Sequence, residues 1–144
     1  MAEILYKDES YILMGACFEV CNQKGFGFTE PIYQECLQHE FLIQNIPFIS
    51  QPELPLMYKG IQLGHTFKPD FIYFEKIVVE LKAVACLTDA HRAQTLNYLH
   101  ATQFELGLLV NFGQFPKLVY ERLVCNRRNE SASYYEVLGN RQNF

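Results

Sequence analysis

The sequence predicts an α/β fold in which α-helices flank a central mixed β-sheet. Segments with apolar residues at helical spacing are followed by short strand-like runs, one more helical segment and then further strand-like runs. That order is typical of helices packed on a mixed sheet. The 144 residues suit one domain. Since no repeat or long linker divides the chain, we expect a single domain over residues 1–144.

Two helices are expected in the first third of the chain. The first is predicted by apolar residues at spacings of three and four: Ile12, Leu13, Cys17, Val20 and Cys21. Gly25 is a typical C-terminal stop for it. The second begins after Gly27, with Thr29 as a candidate cap and Pro31 in the first turn.

Strands are expected next. The proline-punctuated stretch 46–64 predicts a strand, a turn at Lys59-Gly60 and a second strand. Residues 67–74 and 77–84 predict two more strands, joined tightly at Glu75-Lys76. Three or four strands would thus form one meander.

The last third of the chain predicts one helix and the closing strands. The helix covers 88–103 and is capped by Thr88 or Asp89. Segments 106–113 and 117–125 predict one or two closing strands.

Composition excludes several classes of protein. The net charge of −4 argues against a strongly basic protein that coats nucleic acid, but not against an enzyme that meets phosphates through a metal ion.

Five scattered cysteines without a CxxC motif, and no secretory signal, predict reduced thiols in a cytoplasmic protein. Cys17 and Cys21 lie one helical turn apart and could ligate a metal, although small buried side chains are the ordinary alternative. No apolar run approaches the roughly 20 residues of a membrane span.

Three charged residues lie on or beside the most apolar segment. Glu80 and Lys82 are two apart on one predicted strand, so they share a face, and the tight turn brings Asp70 near Glu80. Two carboxylates on neighbouring strands suit Mg²⁺ or Mn²⁺. A lysine beside them can contact a phosphate or a nucleophilic water. The alternative is an exposed edge with a cross-strand salt bridge.

Two helices offer further polar groups. Gln94 and Tyr98 share a helical face at i and i+4. Glu30 and Tyr33 lie at i and i+3 near a helix start, where backbone N–H groups attract anions. Ordinary structural roles remain open for each: a core aromatic, a surface amide and a first-turn acid.

Together these residues resemble the PD-(D/E)xK nuclease superfamily. Pro69-Asp70 followed by Glu80-Leu81-Lys82 is similar to its signature, and "QTLNY" (94–98) is similar to the Q-x-x-x-Y motif of its recombination-exonuclease branch. "GFTEPIY" (27–33) matches the motif that names a small bacterial branch, the GxxExxY proteins. "GLLVNFG" (107–113) resembles that branch's final-strand segment. The resemblance covers nearly the whole chain.

The resemblance implies a restriction-endonuclease-like core and a metal-dependent DNA nuclease. Asp70 and Glu80 would be the ligands of Mg²⁺ or Mn²⁺, with the Leu81 carbonyl as a third. Lys82 would position or activate the attacking water. Glu30 would complete the acidic cluster, directly or through water.

Further roles follow from the same resemblance. Gln94 and Tyr98 would orient the lysine, the nucleophile or a phosphate. DNA is the expected partner. Apart from the resemblance, a basic rim around Asp70 formed by Lys68, His91 and Arg92, with Arg127-Arg128, would favour a DNA path.

Some alternatives stay open. His65 or His91 could add a metal ligand, against the ordinary alternative of a surface or hydrogen-bonded histidine. A bare core lacks the additional domains by which a nuclease finds a sequence. An accessory module of the same fold that binds DNA or protein, with a protein partner or as a homo-oligomer, is therefore the second hypothesis. The third is a hydrolase of another substrate with a closed small pocket around Asp70.

Overall fold

The computed structural model describes residues 3–125, which contain three helices and seven strands. The helices are α1 (Lys7–Lys24), α2 (Glu30–Ile43) and α3 (Asp89–Thr102). The strands are β1 (Phe48–Ser50), β2 (Leu54–Tyr58), β3 (Ile61–Phe67), β4 (Phe71–Tyr73), β5 (Ile77–Lys82), β6 (Leu106–Asn111) and β7 (Val119–Val124). Five strands form a sheet in the order β1-β4-β5-β6-β7, with β5 and β6 parallel and the other neighbours antiparallel. The predicted mixed sheet flanked by helices is confirmed.

The central strand β5 is buried on both faces. Ile77, Val79 and Leu81 pack into the core that α1 and α2 build on one face, whereas Val78 packs into the core under α3. A strand covered on both sides needs a nearly continuous apolar sequence. Because side chains alternate along a strand, Glu80 and Lys82 follow Val78 on the α3 face.

Two of the three predicted helix-end signals are confirmed, Gly25 after α1 and Thr88 before α3. Gly25 follows α1 with a φ of 69°, and its N–H donates to the Cys21 carbonyl at 2.8 Å. At α3, the Thr88 side chain accepts from the His91 N–H at 3.4 Å, and His91 Nδ1 accepts from the Thr88 N–H at 3.0 Å. At α2, Thr29 occupies the cap position but its side chain makes no capping hydrogen bond.

The predicted meander is wrong. Among the described residues, β2 and β3 pair only with each other in a separate two-stranded sheet, connected by the predicted turn at Lys59-Gly60. The predicted strand 67–74 is also divided, since β3 ends at Phe67 and β4 begins at Phe71. Pro69 lies in the gap, and a proline has no N–H to donate to a sheet ladder.

The strands around the predicted hairpin are shorter than expected. Phe74 and Glu75 take the two positive-φ positions of the turn, and the Lys76 N–H closes it on the Tyr73 carbonyl at 2.9 Å. The turn therefore lies one residue earlier than Glu75-Lys76. The predicted strand 77–84 ends at Lys82.

All five cysteines are free thiols. Burial raises the pKa of Cys17 to about 12. A thiol that retains its proton is a poor metal ligand, which favours the structural alternative for this residue. Within residues 3–125, no helix is long and apolar enough to cross a membrane.

Candidate active site

Asp70 and Glu80 meet where β4 and β5 leave their regular pairing. Phe71 pairs with Val79, so the next residues along the two antiparallel strands are Asp70 and Glu80. Here the carboxylates bind the backbone: Glu80 Oε1 accepts from the Asp70 N–H at 2.9 Å, and Asp70 Oδ2 accepts from the Leu81 N–H at 2.8 Å. Each carboxylate is thereby fixed through one oxygen by a backbone N–H.

The two carboxyl groups hold protons more tightly than isolated ones. Glu80 is only 4% exposed, and burial, followed by the neighbouring charge of Asp70, raises its pKa to about 9. Burial also raises the pKa of Asp70, against the Leu81 N–H, the Lys82 charge and a hydrogen bond with Glu80, which lower it. Two like charges in a site with little water disfavour each other's ionisation. A divalent cation would relieve that repulsion.

Lys82 lies at the end of β5 and is held from α3. Its Nζ donates to Gln94 Oε1 at 2.9 Å, and Gln94 Nε2 donates to the Tyr98 hydroxyl at 3.3 Å. The Tyr98 ring in turn packs on Phe67 with 5.0 Å between ring centroids. The helical spacing that suggested Gln94 and Tyr98 thus produces a continuous hydrogen-bonded chain to the lysine.

Glu30 is the first residue of α2 and is partly buried. Burial raises its pKa, the charge of Asp70 raises it further, and the charge of Lys82 lowers it. The charges of Asp70 and Lys82 therefore act on this carboxylate, and its place in the acidic cluster stays a prediction.

Tyr33 fixes the loop that leads into Glu30. Its hydroxyl donates to the Gly25 carbonyl at 2.6 Å and accepts from the Phe28 N–H at 3.3 Å. Its ring stacks on Phe112 with 4.5 Å between centroids. Gly27 lies in this loop with a φ of 111°, a conformation that favours glycine. The motif at residues 27–33 therefore forms an ordered loop that leads into α2.

Two positioning residues were not predicted. Gln34, one helical turn after Glu30, donates its amide to the Asp70 carbonyl at 3.2 Å. Asn111 holds the segment after Lys82: its Oδ1 accepts from the Val84 N–H at 3.0 Å, and its Nδ2 donates to the Val84 carbonyl at 2.9 Å. The available signal was a fully buried amide within the apolar strand β6.

Only part of the predicted basic rim is present as exposed, unpaired positive charge among the described residues. Lys68 is exposed, two residues before Asp70. Arg92 donates to Glu121 at 2.7 Å and 3.0 Å and to Asp89 at 3.1 Å, so its charge is already paired. Arg127-Arg128 lie outside the described residues.

The histidine candidates for extra metal ligands have other surroundings. His91 Nδ1 accepts the hydrogen bond that caps α3. Partial burial lowers the pKa of His91, and the charges of Lys82 and Arg92 lower it further. His65 lies on the exposed strand β3. Both keep the role of a ligand only as a prediction.

The carboxylates of Asp70 and Glu80 are ligands that a hard cation prefers, but they do not fill its coordination sphere. Within residues 3–125 no three His, Cys, Asp or Glu side chains are grouped to hold a metal ion. Asp70 and Glu80 provide two carboxylates, and a backbone carbonyl and water are the usual additional ligands of Mg²⁺. The residues present therefore suit an ion that keeps part of its water shell.

Comparison with known proteins identifies the family. The sequence-family model of the PD-(D/E)XK nuclease superfamily matches residues 7–123, and the chain belongs to that superfamily. Its members generally depend on a divalent metal, and membership suggests nucleic acid as the partner. The fold is similar to a structure described as "Crystal structure of SSO0001", with a TM-score of 0.55 and 17% identity over 93% of this chain and 64% of that chain. That likeness shows the fold alone. The curated proteins compared with the chain give no match.

Proposed function

We propose that this member of the PD-(D/E)XK nuclease superfamily hydrolyses phosphodiester bonds in DNA with the help of Mg²⁺ or Mn²⁺. The observation that supports the proposal most is the acid pair, Asp70 and Glu80. Burial raises the pKa values of both groups, and the charge of Asp70 raises that of Glu80 further. Lys82 lies on the same face of β5. Perturbed carboxyl groups beside a lysine are typical of a catalytic site rather than of a structural salt bridge.

Asp70, Glu80 and the Leu81 carbonyl would hold the cation. When bound, the cation supplies positive charge that stabilises the negative charge developing on the phosphate oxygens. The backbone hydrogen bonds of the two carboxylates keep both side chains oriented without the ion, so little reorganisation is needed on binding.

Lys82 would serve the reaction through its charge. The Gln94 oxygen accepts one of its three protons, and the others are suited to a phosphate oxygen or to the attacking water. Tyr98 receives the Gln94 amide N–H, which fixes the amide so that its oxygen faces the lysine. Gln94 and Tyr98 would thereby orient Lys82.

Glu30 would complete the acidic cluster, directly or through water. We further propose that the chain belongs to the GxxExxY branch, because Gly27, Glu30 and Tyr33 each have a distinct task in one helix entry. Gly27 allows the turn, Glu30 approaches the acid pair and Tyr33 holds the loop.

Among the three proposed DNA-contacting residues, Lys68 is the strongest candidate because it is an exposed cation. His91 would contact DNA as a neutral group at neutral pH, since its pKa is lowered. Arg92 would have to share its guanidinium with Glu121 and Asp89.

A catalytically weak DNA- or protein-binding accessory module is the second candidate. It is favoured by the absence, within the described residues, of three grouped metal-ligating side chains. In that case a protein partner or a second copy of the chain would complete the assembly.

A cleavage assay separates the two functions. Supercoiled plasmid, linear duplex and single-stranded DNA, and RNA, are incubated with the wild type and Asp70→Asn in EDTA, Mg²⁺ or Mn²⁺. The nuclease proposal expects cleavage of at least one DNA form by the wild type, only with metal, and none by Asp70→Asn. Binding of DNA without cleavage in either metal would support the accessory module instead.

A further inference from the structure

A cleft of about 350 Å³ opens beside the acid pair, between α2 and the end of β1. Its lining includes Glu30, Gln34, Gln38, Ser50, Gln51 and Asp70. Three α2 residues, Glu30, Gln34 and Gln38, recur every four positions, with Pro31 and Glu35 beside them, and so follow one face of that helix. The cleft therefore extends from Asp70 along the helix for about 12 Å, the rise of eight helical residues.

Two amides on α2 present complementary hydrogen-bonding atoms to this cleft. Gln34 donates its Nε2 to the Asp70 carbonyl, and its Oε1 accepts no hydrogen bond from residues 3–125. Gln38 has the opposite arrangement, because its Oε1 accepts from the Ser50 hydroxyl at 3.3 Å, which leaves Nε2 as a donor. An acceptor and a donor one helical turn apart suit a ligand edge that carries both kinds of group.

Charge and size limit the occupant. Three carboxylates line the cleft, those of Glu30, Glu35 and Asp70, and no lysine or arginine is among its lining residues. A phosphate inside it would be repelled. The volume lies at the low end for small-molecule sites and cannot admit a duplex. A neutral, polar group of modest size is therefore favoured over a phosphate.

We propose that the cleft is a subsite for one unpaired nucleobase next to the scissile phosphate, with Gln34 and Gln38 reading its edge. Gln34 Oε1 would accept from a donor on the base edge and Gln38 Nε2 would donate to an acceptor on it, and the Pro31 ring adds an apolar surface for packing. The position of the base relative to the cut bond rests on the proposed nuclease function. The subsite makes single-stranded or frayed DNA the preferred substrate, because a base must be splayed out to enter.

The first test uses a missing base. Single-stranded oligonucleotides with an abasic residue at successive positions around the cut bond are compared with intact ones, under the metal conditions that support cleavage. The wild type should cleave about tenfold more slowly when the abasic residue takes the subsite position. Gln38→Ala should lose most of this difference, whereas Gln62→Ala, an exposed glutamine on β3, should retain it. Equal rates at every position for the wild type, or an unchanged difference in Gln38→Ala, would overturn the subsite.

The second test does not depend on cleavage. Uncharged deoxynucleosides are titrated into the wild type, Gln38→Ala and Gln62→Ala while side-chain amide resonances are followed by NMR. Shifts at Gln34 that occur in the wild type and in Gln62→Ala but disappear in Gln38→Ala support the subsite even if no DNA is cut, in which case only the nuclease proposal fails. Cleavage without such shifts and without an abasic effect overturns the subsite and leaves the nuclease proposal standing. Shifts produced by an arginine amide but not by nucleosides would assign the cleft to a cationic group and also overturn the inference.

Discussion

Two clusters of charged side chains lie on the α3 side of the sheet, and they are built in opposite ways. In the arginine pair, Arg92 and Glu121, the guanidinium donates two hydrogen bonds to one carboxylate, and the side chains are 16% and 11% exposed. The hydrogen bond and charge of Glu121 raise the pKa of Arg92, with Asp89 adding to the effect. The charged form of Arg92 is therefore favoured.

In the acid pair, two carboxyl groups are buried and neither is hydrogen-bonded to a cationic side chain within residues 3–125. Asp70 and Glu80 face each other, and the pKa values of both rise. Lys82 lowers them, but its Nζ is bound to Gln94 rather than to either carboxylate. The comparison shows that buried charge alone does not distinguish a functional site. Buried negative charge that no cation of the protein balances, and that a bound cation would neutralise, is the more informative sign.

The largest effect is expected at Lys82. Lys82→Ala should reduce cleavage about 10²–10³-fold, the usual cost of removing one group that stabilises a transition state, with little change in metal affinity or melting temperature. Lys76→Ala is the matched control, because Lys76 precedes β5 and lies about 20 Å away along the strand. Single-turnover rates and thermal melts of both variants test this. A large loss of stability with Lys82→Ala would assign the lysine to the fold instead.

The arginine pair should respond in stability rather than activity. Arg92→Ala should lower the free energy of unfolding by about 2 kcal/mol, because Glu121 is left mostly buried without its charge-assisted hydrogen bonds. The partly exposed pair of Lys76 with Glu9, 3.3 Å apart, should cost under about 1 kcal/mol when Lys76 is removed. Urea unfolding of the two variants measures both. Equal losses would show that the arginine pair behaves as an ordinary surface pair.

Removing a charge from the acid pair should stabilise the protein without metal. Because the pKa of Glu80 rises from 4.5 to about 9 on folding, its contribution to stability is full below about pH 4.5 and is lost as the pH rises through about 9. Glu80→Gln should therefore melt about 3–6 °C above the wild type at pH 8.5 and show a flatter pH profile. Glu105→Gln, at an exposed position, serves as the control. A variant that is less stable than the wild type at pH 8.5 would contradict the repulsion argument.

The smallest effect is expected at the helix entry. Tyr33→Phe keeps the stacking on Phe112 but removes two hydrogen bonds, so unfolding should become easier by about 1 kcal/mol. Exchange of the Phe28 amide should accelerate more than that of amides in β5, as measured by hydrogen exchange. Tyr11→Phe, whose ring is 80% exposed, should change neither quantity. If Phe28 exchange stays at the wild-type rate, the hydroxyl does not hold this loop.

The sequence predicted those parts of the site that depend on short-range geometry. The spacing of Glu80 and Lys82 placed them on one face, the hairpin brought Asp70 opposite Glu80, and helical spacing connected Gln94 with Tyr98. Each inference needed only the period of a strand or helix and one tight turn.

The unpredicted features depend on long-range contacts. Gln34 reaches Asp70 across 36 residues, and Arg92 reaches Glu121 across 29. No local pattern specifies such partners. The separate β2–β3 sheet escaped prediction for a related reason: the same residues pair equally well in a large sheet or in an isolated hairpin until packing decides.

The central claim is that the acid pair binds a divalent cation in exchange for a proton. Calorimetric titration of Mn²⁺ at pH 7, repeated in buffers of different ionisation enthalpy, counts the protons released on binding. With Glu80 protonated at that pH, the wild type should bind Mn²⁺ and release about one proton, and binding should weaken strongly in both Asp70→Asn and Glu80→Gln. Absence of binding by the wild type, or binding that releases no proton and survives both substitutions, would contradict the account.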